Sequence, residues 1–443
     1  MNKLEKRAFI CILFVIVLIA GMGFFIFKLI ENGAAWASYP ANDHLYEDGK
    51  LTRGVIYDRN GKLLLRNTES GIPEYSGDSA IRKANLHVTG DVDNNIGSGA
   101  NMSFSGLLAG YDFFNGIYSA TGKSEEIYLT VDAYANLAAY DAMAGRDGTV
   151  LVYNYETGEI LVSVSLPTFD PLIPGRVEEG AYINKGLMAT VVPGSIFKVI
   201  TATAAIESVE DISEFQHTCT GVVNYEGNDK VTCPYVHGTV NLEQALAVSC
   251  NGAFAKLSEM VGDKTLEKYT KKAGLTKSYD IDGIRTEKGT FEFPEDGLNL
   301  AWSGIGQYHD LLNPLSMMVY MGAIANGGEC AVPRILIGKN LDENIKVSTS
   351  TVSLVEKDTA NQLNDMLANN VVNYGEWQFP GLTVYGKTGT AEVETGENPN
   401  AWFTGYIKEE NHPYAFIVLV EKGGAGGSVA TDVANQVLQS LVN

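Results

Sequence analysis

The chain has 443 residues, room for two or three domains with ample core, and its 45% apolar content excludes a disordered or fibrous protein. A formal charge of −21 argues against nucleic acid and other polyanions as partners. The acidic excess reads as a solvated surface.

The first predicted element is a membrane span. Ala8 to Phe27 carries no charge, and twenty residues of helix cover a hydrocarbon core of about 30 Å. Lys3, Lys6 and Arg7 precede it against Glu5 alone, so the positive-inside rule predicts a cytoplasmic tail over 1–7, an anchor over 8–28 and everything later outside the cytoplasm. A cleaved signal peptide is the rival, since Ala35-Trp36-Ala37 resembles a cleavage site, but the apolar run is too long for a typical signal core. Residues 29–147 then read as a membrane-proximal linker and a small domain. It opens with a hairpin around Asn60-Gly61 and continues as an irregular α+β module. Gly116 to Ser124 comes close to a phosphate-binding loop, but five residues separate its glycines where four are required, so no nucleotide site is predicted. Leu129 to Met143 has helical spacing.

Residues 148–443 predict a second, larger domain. A hairpin over 149–154 and 159–166 leads into a mostly helical block reaching residue 380. Strands follow at Val384–Thr390, Trp402–Ile407 and Ala415–Val420, and an amphipathic helix at Thr431–Val442 closes the chain. This order predicts an α/β (α+β) fold, an antiparallel sheet flanked by helices.

Three short motifs in this second domain carry chemistry. Ser195-Ile196-Phe197-Lys198 follows Pro193-Gly194 and starts a buried-helix pattern, so positions i and i+3 place Lys198 beside the Ser195 hydroxyl. That is a serine nucleophile with a lysine base, provided the lysine is neutral; burial and a second cation, here Lys387, both favour that. Ser249-Cys250-Asn251 lies within a helical stretch over Leu242–Leu257. Its hydroxyl can relay a proton, and its amide can hold Lys198 and a substrate carbonyl. Lys387-Thr388-Gly389-Thr390 ends a β-rich run, where the bare edge at Gly389 admits an extended peptide and Lys387, Thr388 and Thr390 can hold a carboxylate. The backbone N–H groups of Ser195 and Thr390 are the expected oxyanion hole.

With these motifs in this order, the chain resembles the class B penicillin-binding proteins, monofunctional D,D-transpeptidases of peptidoglycan synthesis. Arg53 to Gly61 resembles the family's opening pedestal motif, which is dimerisation-like in character; Asn313-Pro314-Leu315 and Ala401 to Tyr406 also match. The resemblance implies a serine acyl-enzyme on Ser195 that cross-links stem peptides, covalent binding of β-lactams, and no cofactor for catalysis. It further implies a membrane glycosyltransferase partner, because the short pedestal leaves no room for that activity. A D,D-carboxypeptidase or a class D-like β-lactamase on the same fold is the alternative. One departure stands out: Gly306-Gln307-Tyr308 has tyrosine where relatives usually have a second glycine.

Cys219, Cys233, His237 and Cys250 cluster around the second motif. Three thiolates and an imidazole suit tetrahedral zinc in a structural role. A Cys219–Cys233 disulfide, favoured by an extracytoplasmic compartment, and plain buried thiols are the other two readings.

Overall fold

The computed structural model describes residues 3–443 apart from 40, 41, 43, 44, 112–124, 174, 227, 228, 296, 340–349 and 394–396. The near-miss loop at Gly116–Ser124 lies outside the described residues.

Helix α1 (Lys3–Ala37) contains the expected span, and its apolar side chains are exposed along its length. Among the described residues it is the one helix long and apolar enough to cross a membrane. Strands β1 (Val55–Tyr57) and β2 (Leu63–Arg66) form the expected hairpin, followed by β3 (Glu74–Tyr75) and α2 (Ser79–Thr89). Strand β4 (Glu126–Leu129) precedes α3 (Ala133–Met143). The predicted helix therefore starts later than Leu129. Leu129 ends a strand, and Asp132 caps α3 by accepting from the Tyr134 and Ala135 amides.

Strands β5 (Gly148–Asn154) and β6 (Ile160–Leu166) form the second hairpin. Helices α4 (Lys198–Ser208), α5 (Asn251–Val261) and α6 (Pro314–Ala325) follow, then the short strand β7 (Leu336–Gly338) and helix α7 (Lys357–Tyr374). The chain ends in β8 (Val384–Ala391), β9 (Asn400–Glu409), β10 (His412–Val420) and α8 (Val429–Val442). All three late strands and the closing helix stand where the sequence pattern predicts them.

The main sheet has the order β8-β9-β10-β5-β6, with antiparallel neighbours throughout. Its strands are apolar on both faces because helices cover both. Leu151 and Tyr153 with Ala415, Ile417 and Leu419 belong to the core under α4 and α6. Their neighbours in sequence, Val150, Val152, Phe416 and Val418, belong to the core under α3 and α8. Helix α6 is buried at every position, which explains a sequence with no polar face. A second five-stranded sheet has the order β7-β4-β1-β2-β3, so a strand from beyond residue 148 completes it. Strand β8 lies at the edge of the main sheet and leaves one side open to a cleft.

Candidate active site

The first motif, Ser195 to Lys198, is built on a sharp turn. Gly194 has φ +55°, and a Cβ there would stand 2.5 Å from the Thr390 carbonyl oxygen, so only glycine lets this turn abut β8. Gly194–Phe197 is a 3₁₀ turn, and α4 proper begins at Lys198. Ser195 is half-buried on the turn and lines a cleft of about 500 Å³; Lys198 is fully buried behind it. At the first position of a helix the dipole opposes a cationic side chain, which also favours a neutral amine.

The second motif departs from the continuous helix expected over 242–257. One helix runs over Leu242–Ala247, and Ser249 takes a left-handed φ of +54°. Cys250 then caps α5 by accepting from the Ala253 amide at 3.4 Å. Apolar spacing continues across this break, so periodicity alone merges two helices into one. The strained backbone at Ser249 turns its carbonyl and hydroxyl toward the lysines.

Lys198 Nζ donates to the Ser249 carbonyl at 2.7 Å, to Ser249 Oγ at 3.1 Å and to Asn251 Oδ1 at 2.7 Å. Lys387 Nζ donates to the same Ser249 Oγ at 3.1 Å and to its own neighbour's carbonyl, Thr388 O, at 2.8 Å. One hydroxyl thus bridges both amines. Burial, and after it the charge of Lys387, hold the Lys198 amine well below the ordinary lysine range. Burial alone pushes Lys387 down to about 7. Among the described residues the hydrogen bonds of the Lys198 amine all go to the second motif, and the expected pairing with the Ser195 hydroxyl is not among them.

The third motif divides between core and cleft. Lys387 is fully buried, whereas Thr388, Gly389 and Thr390 line the cleft opposite Ser195. Gly389 is needed for closeness: a Cβ there would stand 2.9 Å from Ile196 Cγ2 and 3.2 Å from the Ile196 amide nitrogen. Two aromatic rings that no motif marks also flank the amines. Phe254 on α5 lies 5.6 Å from Lys198 Nζ, and Tyr374 at the end of α7 lies 5.8 Å from Lys387 Nζ. The departure at Tyr308 keeps the backbone of a glycine, with φ +69°.

The four predicted ligands converge. The Cys219, Cys233 and Cys250 sulfurs and a His237 ring nitrogen lie within 4.8 Å of one another. Cys233 Sγ to Cys250 Sγ is 3.9 Å, and Cys219 Sγ to His237 Nδ1 is 3.5 Å. A tetrahedron with metal–sulfur bonds of about 2.3 Å and metal–nitrogen bonds of about 2.0 Å has edges of about 3.8 Å and about 3.5 Å. The donor types thus suit zinc, and these two separations match the edges of such a site. Cys219 and Cys233 are free thiols here, so the disulfide reading is not realised. The group sits against the second motif: Thr232 O accepts from Asn251 Nδ2 at 2.7 Å, and Cys233 Sγ accepts from the Gly252 amide at 3.2 Å.

Comparison with known proteins decides the family. The model of the penicillin binding protein transpeptidase domain matches residues 148–439. The chain belongs to that family. The resemblance to class B penicillin-binding proteins drawn from the motifs is borne out. Among curated relatives, the peptidoglycan D,D-transpeptidase PbpA of Mycolicibacterium smegmatis is 27% identical over 373 residues, covering 75% of this chain and 74% of that one. Among solved structures, penicillin-binding protein A of M. tuberculosis as a ceftriaxone acyl-enzyme superposes with a TM-score of 0.72 at 25% identity, covering 88% of this chain and 98% of the other. The D,D-transpeptidase domain of a peptidoglycan glycosyltransferase from Eggerthella lenta gives 0.74 at 26% identity, with 88% and 98% covered. The penicillin-binding fold expected from the element order is therefore the observed one.

Proposed function

We propose that this penicillin-binding protein is a membrane-anchored D,D-transpeptidase that cross-links peptidoglycan stem peptides through an acyl-enzyme on Ser195. The observation that carries the reading is the pair of buried lysines sharing the Ser249 hydroxyl behind a cleft walled by Ser195 and β8. The acyl-donor peptide lies along β8 as an added strand, its terminal carboxylate on Thr388 and Thr390 with the Lys387 charge behind. Ser195 Oγ attacks the penultimate carbonyl while Lys198 takes its proton, and the Ser195 and Thr390 amides hold the oxyanion. The proton then passes by way of Ser249 to the departing amine. An acceptor amine enters the vacated side, attacks the ester and regenerates the serine. A β-lactam enters by the same attack, but its leaving amine stays tethered after ring opening and keeps the acceptor out.

Mass spectrometry of the protein with penicillin tests this directly. A single long-lived adduct is expected, absent in Ser195→Ala. An adduct that survives the substitution removes Ser195 from the mechanism, and rapid penicillin turnover converts the enzyme into a lactamase or carboxypeptidase.

The topology proposed for α1 puts residues 1–7 in the cytoplasm and 29–443 outside, with glycan polymerisation left to a membrane glycosyltransferase partner. Protease added to wall-stripped cells should digest the catalytic domain; full protection would reverse the orientation. The residue ranges 29–147 and 148–443 serve as pedestal and transpeptidase domains in this reading.

For the cluster, we propose a structural zinc ion held by Cys219, Cys233, His237 and Cys250. When bound it would supply four bonds that fix the loop over Thr232–His237 and, through Asn251, the second motif; serine acylation itself draws on the protein's own groups. Protein purified without a histidine tag should carry about one equivalent of zinc, as one tetrahedral Cys₃His site demands. Less than about a tenth of an equivalent would leave the four as thiols and imidazole.

A further inference from the structure

The cleft has a feature that the acylation chemistry does not use. Among its lining residues, Tyr235 is 76% exposed, although tyrosine carries an apolar body that ordinarily seeks cover. Val236 beside it is 69% exposed, and Val248 on the same cleft is also open to solvent. Among the described residues the Tyr235 ring has no aromatic neighbour and its hydroxyl no hydrogen-bond partner, so nothing within the fold accounts for its position.

Its backbone, by contrast, is held tightly. Cys219 and His237 sit where the strands Gln216–Cys219 and Gly238–Asn241 close the loop, with Cys219 paired opposite Gly238. Cys219 Sγ approaches the Tyr235 carbonyl at 3.9 Å, Pro234 restricts the residue before, and Cys233 is tied to the Gly252 amide. Thr232 on the same segment bonds Asn251 of the second motif. The result is a solvent-exposed aromatic ring on a clamped loop, at the end of the cleft where the second motif lies. A ring held in this way loses little entropy when a ligand covers it, which is how aromatic residues come to dominate recognition surfaces.

We infer that Tyr235 is a specificity-determining residue: its ring receives the apolar or aromatic group that adjoins the acylated carbonyl of the acyl donor. In a stem peptide that group is the side chain of the residue preceding the acylated one, and in a β-lactam it is the acylamino substituent. The inference rests on the reading of Ser195 as the nucleophile of this cleft. It adds that one wall selects among donors that the serine would otherwise treat alike.

Two penicillins with the same reactive nucleus test it on the full-length detergent-solubilised protein. Benzylpenicillin carries an aromatic acylamino group, whereas 6-aminopenicillanic acid carries none. Tyr235→Ala should lower the second-order acylation rate constant for benzylpenicillin by about five- to tenfold, the scale of one aromatic contact, and that for 6-aminopenicillanic acid by less than about twofold. Tyr235→Phe, which keeps the ring, should retain both within about twofold. The unfolding midpoint and zinc content of Tyr235→Ala should match the parent, since the ring has no partner in the fold. Equal losses with both compounds, or no loss with either, would overturn the inference. Acylation that persists in Ser195→Ala is a separate result: it removes the nucleophile assignment and leaves the difference between the two penicillins still readable.

Discussion

At the residue scale, the proposed mechanism asks opposite things of its two lysines. Lys198 works as a base only when neutral, so acylation should fail at low pH as its amine takes a proton. Lys387 serves the substrate carboxylate only when charged, and burial brings it down to about 7 in the free enzyme. The second-order rate constant for penicillin acylation reports the free enzyme, and should therefore decline as pH rises above about 7. Lys387→Ala should be slower by roughly two to four powers of ten, the scale of one electrostatic contact plus a mistuned base, and should show no decline above neutrality. A parent profile flat to pH 9, or a loss below threefold in the variant, would remove Lys387 from this role. Both lysines were legible in the sequence because each sits inside a short motif of fixed spacing. Tyr374 and Phe254 were not. They reach the amines from other elements through space, and no local pattern marks a ring that packs 5.8 or 5.6 Å from a cation.

At the element scale, the cleft depends on how closely β8 and the nucleophile turn approach. Gly194 and Gly389 face each other's segments, and a methyl group at either would push the two apart. Gly389→Ala should slow acylation by at least about tenfold, because moving Ile196 by a few tenths of an ångström shifts the Ser195 amide in the oxyanion hole. Its unfolding midpoint should move far less than its activity does. Unchanged acylation kinetics would show that the strand has room to yield. The main-sheet strands were readable as continuous apolar runs because both faces of that sheet are buried, and the closing helix α8 was readable from its amphipathic spacing. The break at Ser249 was not readable, since the hydrogen bonds that accompany it come from Lys198 and Lys387, on segments far away in sequence. Tyr308 is similar: its left-handed backbone is fixed by the turn at Gly306, whose amide and carbonyl lock that loop against Ser303 and Gly194.

At the scale of the whole molecule, helix α2 of the pedestal docks on the segment that follows β6. Arg82 grips Asp170 with two hydrogen bonds of 2.8 and 2.6 Å, and Ser79 Oγ donates to the same carboxylate at 2.6 Å. His87 is buried, and its Nε2 lies 2.9 Å from the Ala181 carbonyl, so the neutral ring donates there. These two contacts titrate in different windows. The Asp170 carboxylate is held well below its ordinary range, first by Arg82, so its contribution is complete above the unfolded carboxylate value near 4 and is lost only below it. Burial pushes His87 down to about 4 from an ordinary 6.5. Between those values the unfolded chain binds a proton that the folded one refuses, so folding stability falls as pH drops from about 6.5 toward 4. The full shift corresponds to about 3 kcal/mol, most of it spent before Asp170 begins to respond. Urea unfolding of the protein at pH 7 and pH 5 should show this loss, and His87→Gln, which keeps an N–H donor but cannot titrate, should flatten the difference between the two pH values. An identical pH dependence in parent and variant would mean that His87 does not govern the junction, and that acid sensitivity in this window arises elsewhere in the fold.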